Sequence, residues 1–365
     1  MIITFPHMGN IHVIGKIIMD YLGLQRVIPP INNKISLEIG SKMSPEEMCL
    51  PFKIMMGNYI QSIEKGADTI LLVGSCGPCR FGEYGELQMR ILSRAGYSVR
   101  FILLDPTCDF KNNDDPRMMG LNEFLKEAHI SKIQLVNSVL FGAQCMHLLD
   151  HMESYVHQQS AYETIPGQLK QIFFAAIEEV KKQSDPLTAL KILNKYKCRL
   201  EKLPLDKSKN VLKIAVIGEI YTIIDGFSNL NLEDKLMGYG VSVTRKLTPS
   251  WWVQDTFLKL LKLNGLDTKH YSKKYLPYWV GGHGRECVAE AVMAHKKGFD
   301  GAIQVFPLGC MPEIVSKAIL PNISRDQHFP IMSLVVDEMT GEAGYTTRIE
   351  AFVDLLERRK ALCTI

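Results

Sequence analysis

The chain has 365 residues, of which 46% are hydrophobic and 22% are charged, and its formal net charge is +3. This composition is that of an ordinary globular protein, and the length predicts two domains. The small net charge and the lack of a basic stripe argue against nucleic-acid binding, and no apolar run approaches the roughly 20 residues that a membrane span needs.

The number and setting of the cysteines limit the roles that these residues can have. Residues 1–7 lack the basic stretch and cleavage site of a secretory signal, so we expect a cytoplasmic protein. Nine cysteines, an odd number, argue against a disulfide framework in such a chain. Metal binding, redox chemistry and plain burial are the remaining roles for these thiols.

Strands and helices alternate through the first part of the chain, which predicts a parallel sheet. The predicted strands are residues 2–5, 27–31, 69–73 and 99–104, and the predicted helices are residues 14–22, 51–65 and 82–95. The sequence Ser-Pro-Glu-Glu at residues 44–47 has the pattern of a helix start. Because Pro51 interrupts that helix, we expect Cys49 to lie in a break just ahead of a new helix.

The rest of the chain divides into a helical region and a second alternating region. The pattern is helical from about residue 109 to residue 203, and the alternation resumes after a Lys- and Pro-containing linker. The predicted strands there are residues 212–217, 240–244, 302–306 and 331–336, and the predicted helices are residues 251–263, 284–296 and 346–359. The sequence therefore predicts an α/β fold: parallel-sheet domains at residues 1–108 and 206–365, with a helical insertion at residues 109–205.

Three cysteines are each followed, two residues later, by a proline. These triplets begin at Cys49, Cys76 and Cys310, whereas about 0.4 such triplets are expected by chance. Proline at the first helical position would place each cysteine just outside a helix N-terminus. Unpaired amides and the helix dipole favour the thiolate there, which is the form that binds metal. With Cys79, one turn beyond Cys76, these residues are the predicted ligands of an iron–sulfur cluster.

The two alternating regions look like distant repeats. Residues 65–68 read Lys-Gly-Ala-Asp and precede the strand that leads to Cys76, and residues 297–300 read Lys-Gly-Phe-Asp and precede the strand that leads to Cys310. Ligands of open α/β sheets gather at the carboxyl ends of the strands. Two such domains facing each other would bring Cys76 and Cys310 to one site.

Other interpretations of these cysteines stay open. Cys-Gly-Pro-Cys at residues 76–79 is also a thioredoxin-like dithiol motif, although the residue before it is Ser75 rather than tryptophan. Zinc is an alternative metal, but structural zinc sites pair two short Cys-x-x-Cys knuckles and only one is present here. Each cysteine could also be a small buried hydrophobe ahead of a helix, or the chain could be a non-catalytic metal-binding subunit. Four further cysteines are interpreted as structural: Cys108, Cys145, Cys198 and Cys363.

Four segments carry a resemblance to a known family. They are Met-Cys-Leu-Pro-Phe-Lys at residues 48–53, Gly-Pro-Cys-Arg-Phe-Gly at 77–82, Cys-Met-Pro-Glu at 310–313 and Asp-Glu-Met-Thr-Gly-Glu-Ala-Gly at 337–344. Together they resemble the 2-hydroxyacyl-CoA dehydratase family, in particular its activase-related branch. The resemblance implies two Rossmann-like domains that hold a [4Fe-4S] cluster in a cleft.

The resemblance also implies a ligand set and a partner. Dehydratases hold the cluster by three cysteines, matched here by Cys49, Cys76 and Cys310, and Cys79 belongs to the pattern of the activase-related branch. Some relatives carry a double-cubane cluster that needs more thiolates, which makes Cys287 a further candidate. The implied partner is an ATP-dependent activase with its own cluster, which delivers a low-potential electron to a homo- or heterodimer. The implied activity is a radical dehydration or another difficult reduction, although the chain shows no recognisable CoA-binding motif.

Overall fold

The computed structural model describes residues 1–73, 79–104, 117–260 and 264–362. The chain forms two compact units: unit 1 comprises residues 1–146 and 178–192, and unit 2 comprises residues 147–177 and 193–365. Each unit is built on a four-stranded sheet whose strands are all parallel. The predicted α/β class, with two Rossmann-like parallel-sheet domains, is confirmed. The helical region predicted at residues 109–205 contributes to both units.

The sheet of unit 1 has its strands in chain order: β1 (Ile3–Thr4), β2 (Thr69–Val73), β3 (Arg100–Leu104) and β4 (Met118–Met119). Strands β2 and β3 pair along their whole length. The apolar run of β2 is the kind of sequence that a doubly flanked parallel strand requires. The helices around this sheet are α1 (Ile11–Tyr21), α2 (Lys34–Met43), α3 (Leu50–Glu64), α4 (Tyr84–Arg94) and α5 (Leu121–Glu127).

Helix α2 was not predicted, and the predicted helix start at Ser44-Pro45 is wrong. Residues 44–49 form a turn that ends α2 instead. The strand predicted at residues 27–31 is also wrong, because the pairing described there is limited to an isolated bridge between Arg26 and Ile3. Helix α2 packs backbone to backbone on α3, because a Cβ atom added at Gly40 would lie 1.6 Å from the carbonyl oxygen of Lys53. The buried residues of α2 are Ser36 and Gly40, whereas Ile35 is exposed, so this contact is made by small residues rather than by an apolar stripe.

Three long helices follow: α6 (Lys132–Gln159), α7 (Gln168–Lys181) and α8 (Pro186–Glu201). Residues of α6 up to Met146 belong to unit 1, and the remainder belong to unit 2. Within the described ranges, no helix combines the length and the apolar character that crossing a membrane requires.

The sheet of unit 2 has the order β6 (Ser242–Arg245), β5 (Lys213–Gly218), β7 (Gly301–Pro307) and β8 (Ile331–Val336). The chain leaves β5 toward one side to form β6 and returns on the other side as β7. The carboxyl ends of β5 and β7 therefore form a topological switch point, where open α/β sheets bind ligands. The helices of this unit beyond α8 are α9 (Ile220–Ile224), α10 (Leu232–Gly238), α11 (Pro249–Leu260), α12 (Leu266–Ser272), α13 (Gly284–Lys296), α14 (Met311–Gln327) and α15 (Glu342–Leu362).

The Lys-Gly-x-Asp segments have the same structure in both units. Gly66 and Gly298 end their helices with positive φ angles of 98° and 74°. The carboxylate of Asp68 then accepts a hydrogen bond of 2.8 Å from the backbone amide of Ile2, beside the neighbouring strand β1. Asp300 accepts the equivalent bond of 2.7 Å from the amide of Lys213, the first residue of β5. Each aspartate ties its own strand to the start of the next strand in the sheet.

Candidate functional site

Cys49 lies at the N-terminus of α3, as predicted. It is the N-cap residue of that helix, and its side chain makes no capping hydrogen bond to the α3 amides. Pro51 is the second helical residue rather than the first, because α3 begins at Leu50. Since a turn of only four residues joins α3 to β2, the N-terminus of α3 lies at the carboxyl edge of the sheet.

Cys79 is the first described residue after β2. It is the N-cap of a short 3-10 turn at Arg80–Glu83, and again its side chain makes no capping bond. The guanidinium of Arg80 donates a 2.9 Å hydrogen bond to the carbonyl oxygen of Glu47, two residues before Cys49. This bond ties the Cys79 segment to the turn that carries Cys49.

Tyr84 makes a second connection between these segments. Its ring packs against Phe52 in the first turn of α3 and against Phe81, with centroid separations of 4.9 and 4.8 Å. Its phenol oxygen contacts the Cys49 thiol. Unit 1 therefore brings together the segments of two predicted ligands, Cys49 and Cys79. The predicted ligand Cys76 lies outside the described residues, as do two cysteines interpreted as structural, Cys108 and Cys363.

Cys310 is at a helix start in unit 2, as Cys49 is in unit 1. It follows β7 at the switch-point edge, is the N-cap of α14, and makes no side-chain capping bond. Pro312 is the second residue of that helix. The start of α13 packs against this first turn, because a Cβ atom at Gly284 would lie 2.6 Å from the Pro312 carbonyl oxygen. The glycine-rich residues 281–284 and Cys310 therefore share one edge of the sheet.

The switch point itself depends on a close backbone approach. Gly218 ends β5 with a φ angle of 134°, and a Cβ atom there would lie 2.0 Å from the carbonyl oxygen of Val305 in β7. Glu219 follows and accepts hydrogen bonds from the amides of Tyr221 and Thr222, both at 2.9 Å. Burial raises the pKa of Glu219 above its ordinary value. The carboxylate caps α9 and is held at the same edge as Cys310.

Two buried glutamates near this edge were not predicted. The Gln304 amide donates a 2.9 Å hydrogen bond to Glu313 in the first turn of α14. Burial raises the pKa of Glu313 to about 7, and burial raises that of Glu290 in α13 to about 8. A sequence signal for Glu290 does exist, because a lone carboxylate interrupts an otherwise apolar stretch of helix at residues 287–294.

Cys287 lies in an environment unlike that of the N-cap cysteines. Helix α13 begins at Gly284, so Cys287 is inside the helix rather than at its start. Its side chain is completely buried in the core of unit 2. Burial and the nearby charges of Glu313 and Glu290 raise the pKa of the Cys287 thiol well above its ordinary value. These surroundings favour the protonated thiol over the thiolate.

The described cysteines of the predicted ligand set share one local environment, in unit 1 for Cys49 and Cys79 and in unit 2 for Cys310. Cys49, Cys79 and Cys310 are thiols at helix starts, where amide N–H groups are available to a thiolate or to cluster sulfides. In the part of the chain that the structure describes, which lacks Cys76, no three His, Cys, Asp or Glu side chains are grouped to hold a metal ion. Thiolates at such positions are suitable cluster ligands by residue type, and the cluster itself stays a prediction.

Comparison with known proteins adds no assignment. No protein-family model matches the chain, and no curated protein matches its sequence.

Proposed function

We propose that the chain is an iron–sulfur protein of the 2-hydroxyacyl-CoA dehydratase type. Its cluster ligands are Cys49, Cys76, Cys79 and Cys310. It accepts a low-potential electron from an ATP-dependent activase that carries its own cluster, and it uses that electron for a difficult reduction or a radical dehydration. Two copies, or this chain and a related subunit, form the working dimer.

One observation carries the proposal: Cys49, Cys79 and Cys310 are all N-cap residues whose side chains do not cap. Ser, Thr, Asn and Asp are the residues that stabilise a helix N-terminus, and a thiol is a weak acceptor. Helix capping therefore gives no reason for cysteine at these positions. A thiolate would explain the cysteines, because the helix dipole and the amides of the first turn stabilise a negatively charged sulfur.

The chain's own groups would tune the site. A bound [4Fe-4S] cluster supplies one-electron transfer at a potential set by hydrogen bonds, charge and solvent exposure. The Tyr84 hydroxyl contacts the Cys49 sulfur and can donate to a thiolate there. Leu50 and Phe52, both buried, exclude water from the first turn of α3 behind Cys49.

Electron paramagnetic resonance of the dithionite-reduced protein, after anaerobic cluster reconstitution, tests the proposal. We expect a half-spin signal that is lost or altered in the variants Cys49→Ser and Cys310→Ser. Cys198→Ser is the matched control, because Cys198 is exposed on α8 and is not a proposed ligand.

The two alternatives predict different results in the same variants. A dithiol oxidoreductase that uses Cys76 and Cys79 keeps its redox activity in both Cys49→Ser and Cys310→Ser. A non-catalytic metal-binding subunit shows no reversible redox couple while folded, and removal of its metal unfolds it.

A further inference from the structure

Unit 2 contains a cleft of about 570 Å³ whose walls are strongly basic. Five lysines line it and no aspartate or glutamate does: Lys207, Lys209, Lys213, Lys297 and Lys360. The volume lies within the range of roughly 300–1,000 Å³ that small-molecule sites occupy. A concave surface that carries one sign of charge concentrates ligands of the opposite sign.

The cleft lies at the amino edge of the unit 2 sheet. Lys213 and Ser242, which line it, are the first residues of β5 and β6, and Lys297 lies just before β7. Cys310 follows β7 at the carboxyl edge of the same sheet. The cleft is therefore separate from the candidate cysteine site, and an inference about it does not depend on the proposed function.

The positive charge of the cleft is largely uncompensated. Lys360 lies 3.2 Å from the carboxylate of Asp300. Of the other four lysines, Lys207 contacts the Gln159 side chain and Lys209 donates to a backbone carbonyl oxygen. Within the described ranges of the chain, none of these four forms an ion pair with a carboxylate. Five lysines thus line one cleft that has two neighbouring carboxylates: Asp300, and Asp206, whose pKa is lowered by its hydrogen bonds to Ser208 and by the charge of Lys209.

The lysines also lie close enough to affect one another. Burial and the charge of Lys213 lower the pKa of Lys207. The ammonium group of Lys207 lies 4.1 Å from the centroid of the Tyr162 ring, which provides one of the few favourable contacts for this charge inside the cleft. A bound polyanion would replace mutual repulsion by attraction at several lysines together.

We propose that this cleft binds a small molecule that carries two or more phosphate groups. Lysine ammonium groups are common phosphate ligands, and several of them match a ligand with several charges better than a single carboxylate. The amide side chains of Gln158 and Asn210 and the ring of Phe299 also line the cleft. These groups suit the base and sugar of a nucleoside diphosphate.

Isothermal titration calorimetry on the full chain tests this proposal with two probes, ADP and inorganic tripolyphosphate. We expect saturable binding of one molecule per chain that weakens between about 50 mM and about 300 mM salt, because added ions screen exposed charges. Tighter binding of ADP than of tripolyphosphate identifies a nucleotide, and the reverse identifies an inorganic polyphosphate. Absence of saturable binding by both probes would overturn the proposal.

The double variant Lys213→Gln, Lys297→Gln removes two of the charges, both on exposed side chains. We expect the Kd to rise at least about tenfold, as the loss of charge-assisted hydrogen bonds predicts. The matched control is Lys296→Gln, because Lys296 is exposed at the same end of α13 and lies over the Tyr271 ring instead of lining the cleft. Equal loss of affinity in the control and in the double variant would show that the cleft is not the site, as would unchanged affinity in the double variant.

Discussion

The phenol oxygen of Tyr84 contacts the thiol of Cys49. Tyr84 is the first residue of α4, and Cys49 is the N-cap of α3, so one buried hydroxyl connects two elements that both start at the carboxyl edge of the unit 1 sheet. In the proposed cluster site this hydroxyl is a donor to a ligand sulfur. Hydrogen bonds to such sulfurs raise the reduction potential of a cluster.

The variant Tyr84→Phe removes that donor and keeps the ring. We expect the reconstituted protein to retain its iron while the reduction potential becomes more negative, as measured by redox titration followed by electron paramagnetic resonance. Tyr59→Phe is the control, because Tyr59 is also fully buried and its hydroxyl has no hydrogen-bond partner in the part of the chain that the structure describes. If both variants shift the potential equally, the Tyr84 hydroxyl does not act on the cluster.

Gly218→Ala tests the close approach at the switch point of unit 2. The added Cβ atom would meet the Val305 carbonyl oxygen at 2.0 Å, and the φ angle of 134° is unfavourable for alanine. We expect the free energy of unfolding in urea to fall by about 2 kcal/mol or more. Gly238→Ala is the control, because a Cβ atom there meets no neighbour within 4 Å, and it should be neutral or slightly stabilising. A neutral Gly218→Ala would contradict the described packing of β5 on β7.

We expect the buried carboxylate of Glu290 to make the free energy of unfolding depend on pH. Glu290 is buried, and among the described residues neither carboxylate oxygen has a hydrogen-bond partner. Burial raises its pKa from 4.5 to about 8, while the charge of Lys246 opposes the rise and those of Glu286 and Glu313 add to it. Between these two values the folded chain holds a proton that the unfolded chain has lost. The free energy of unfolding therefore decreases as the pH rises from about 4.5 to about 8.

The variant Glu290→Gln should reduce this dependence, because glutamine does not ionise, while the part due to Glu313, whose pKa burial raises to about 7, should remain. Near pH 8 we expect it to be more stable than the parent by about 1 kcal/mol or more, measured by urea unfolding across that pH range. Glu357→Gln, which removes an exposed carboxylate of α15, should leave the slope unchanged. Parallel pH profiles for the parent and Glu290→Gln would refute the assignment.

The elements predicted with correct bounds are those marked by a continuous apolar run or by glycines at their ends. Strands β2 (Thr69–Val73) and β8 (Ile331–Val336) and helix α13 (Gly284–Lys296) have their predicted bounds. Continuous apolar runs mark the two strands, and the helix begins at Gly284 and is followed two residues after its end by Gly298. Helix α2 was missed because its buried residues are Ser36 and Gly40, which contact the α3 backbone, while the apolar Ile35 is exposed.

The local geometry of the site was also predictable, but its surroundings were not. The Cys-x-Pro pattern predicted Cys49 and Cys310 at helix starts because proline is best accommodated in the first turn of a helix. The proline lies one position further into each helix than predicted, and α14 also contains Pro321 in its interior. The contact of Tyr84 with Cys49 and the pairing of Gln304 with Glu313 join residues from different elements. Such contacts follow from packing rather than from spacing along the chain.

The most direct test of the central claim is the iron and sulfide content of the protein after anaerobic purification and reconstitution. We expect about four irons and about four sulfides per chain. Both contents should fall markedly in Cys49→Ser and Cys310→Ser and stay unchanged in Cys198→Ser. About eight irons per chain would also agree with an iron–sulfur protein and would indicate a double-cubane cluster. Folded protein that binds no iron, or binds only zinc, would contradict it.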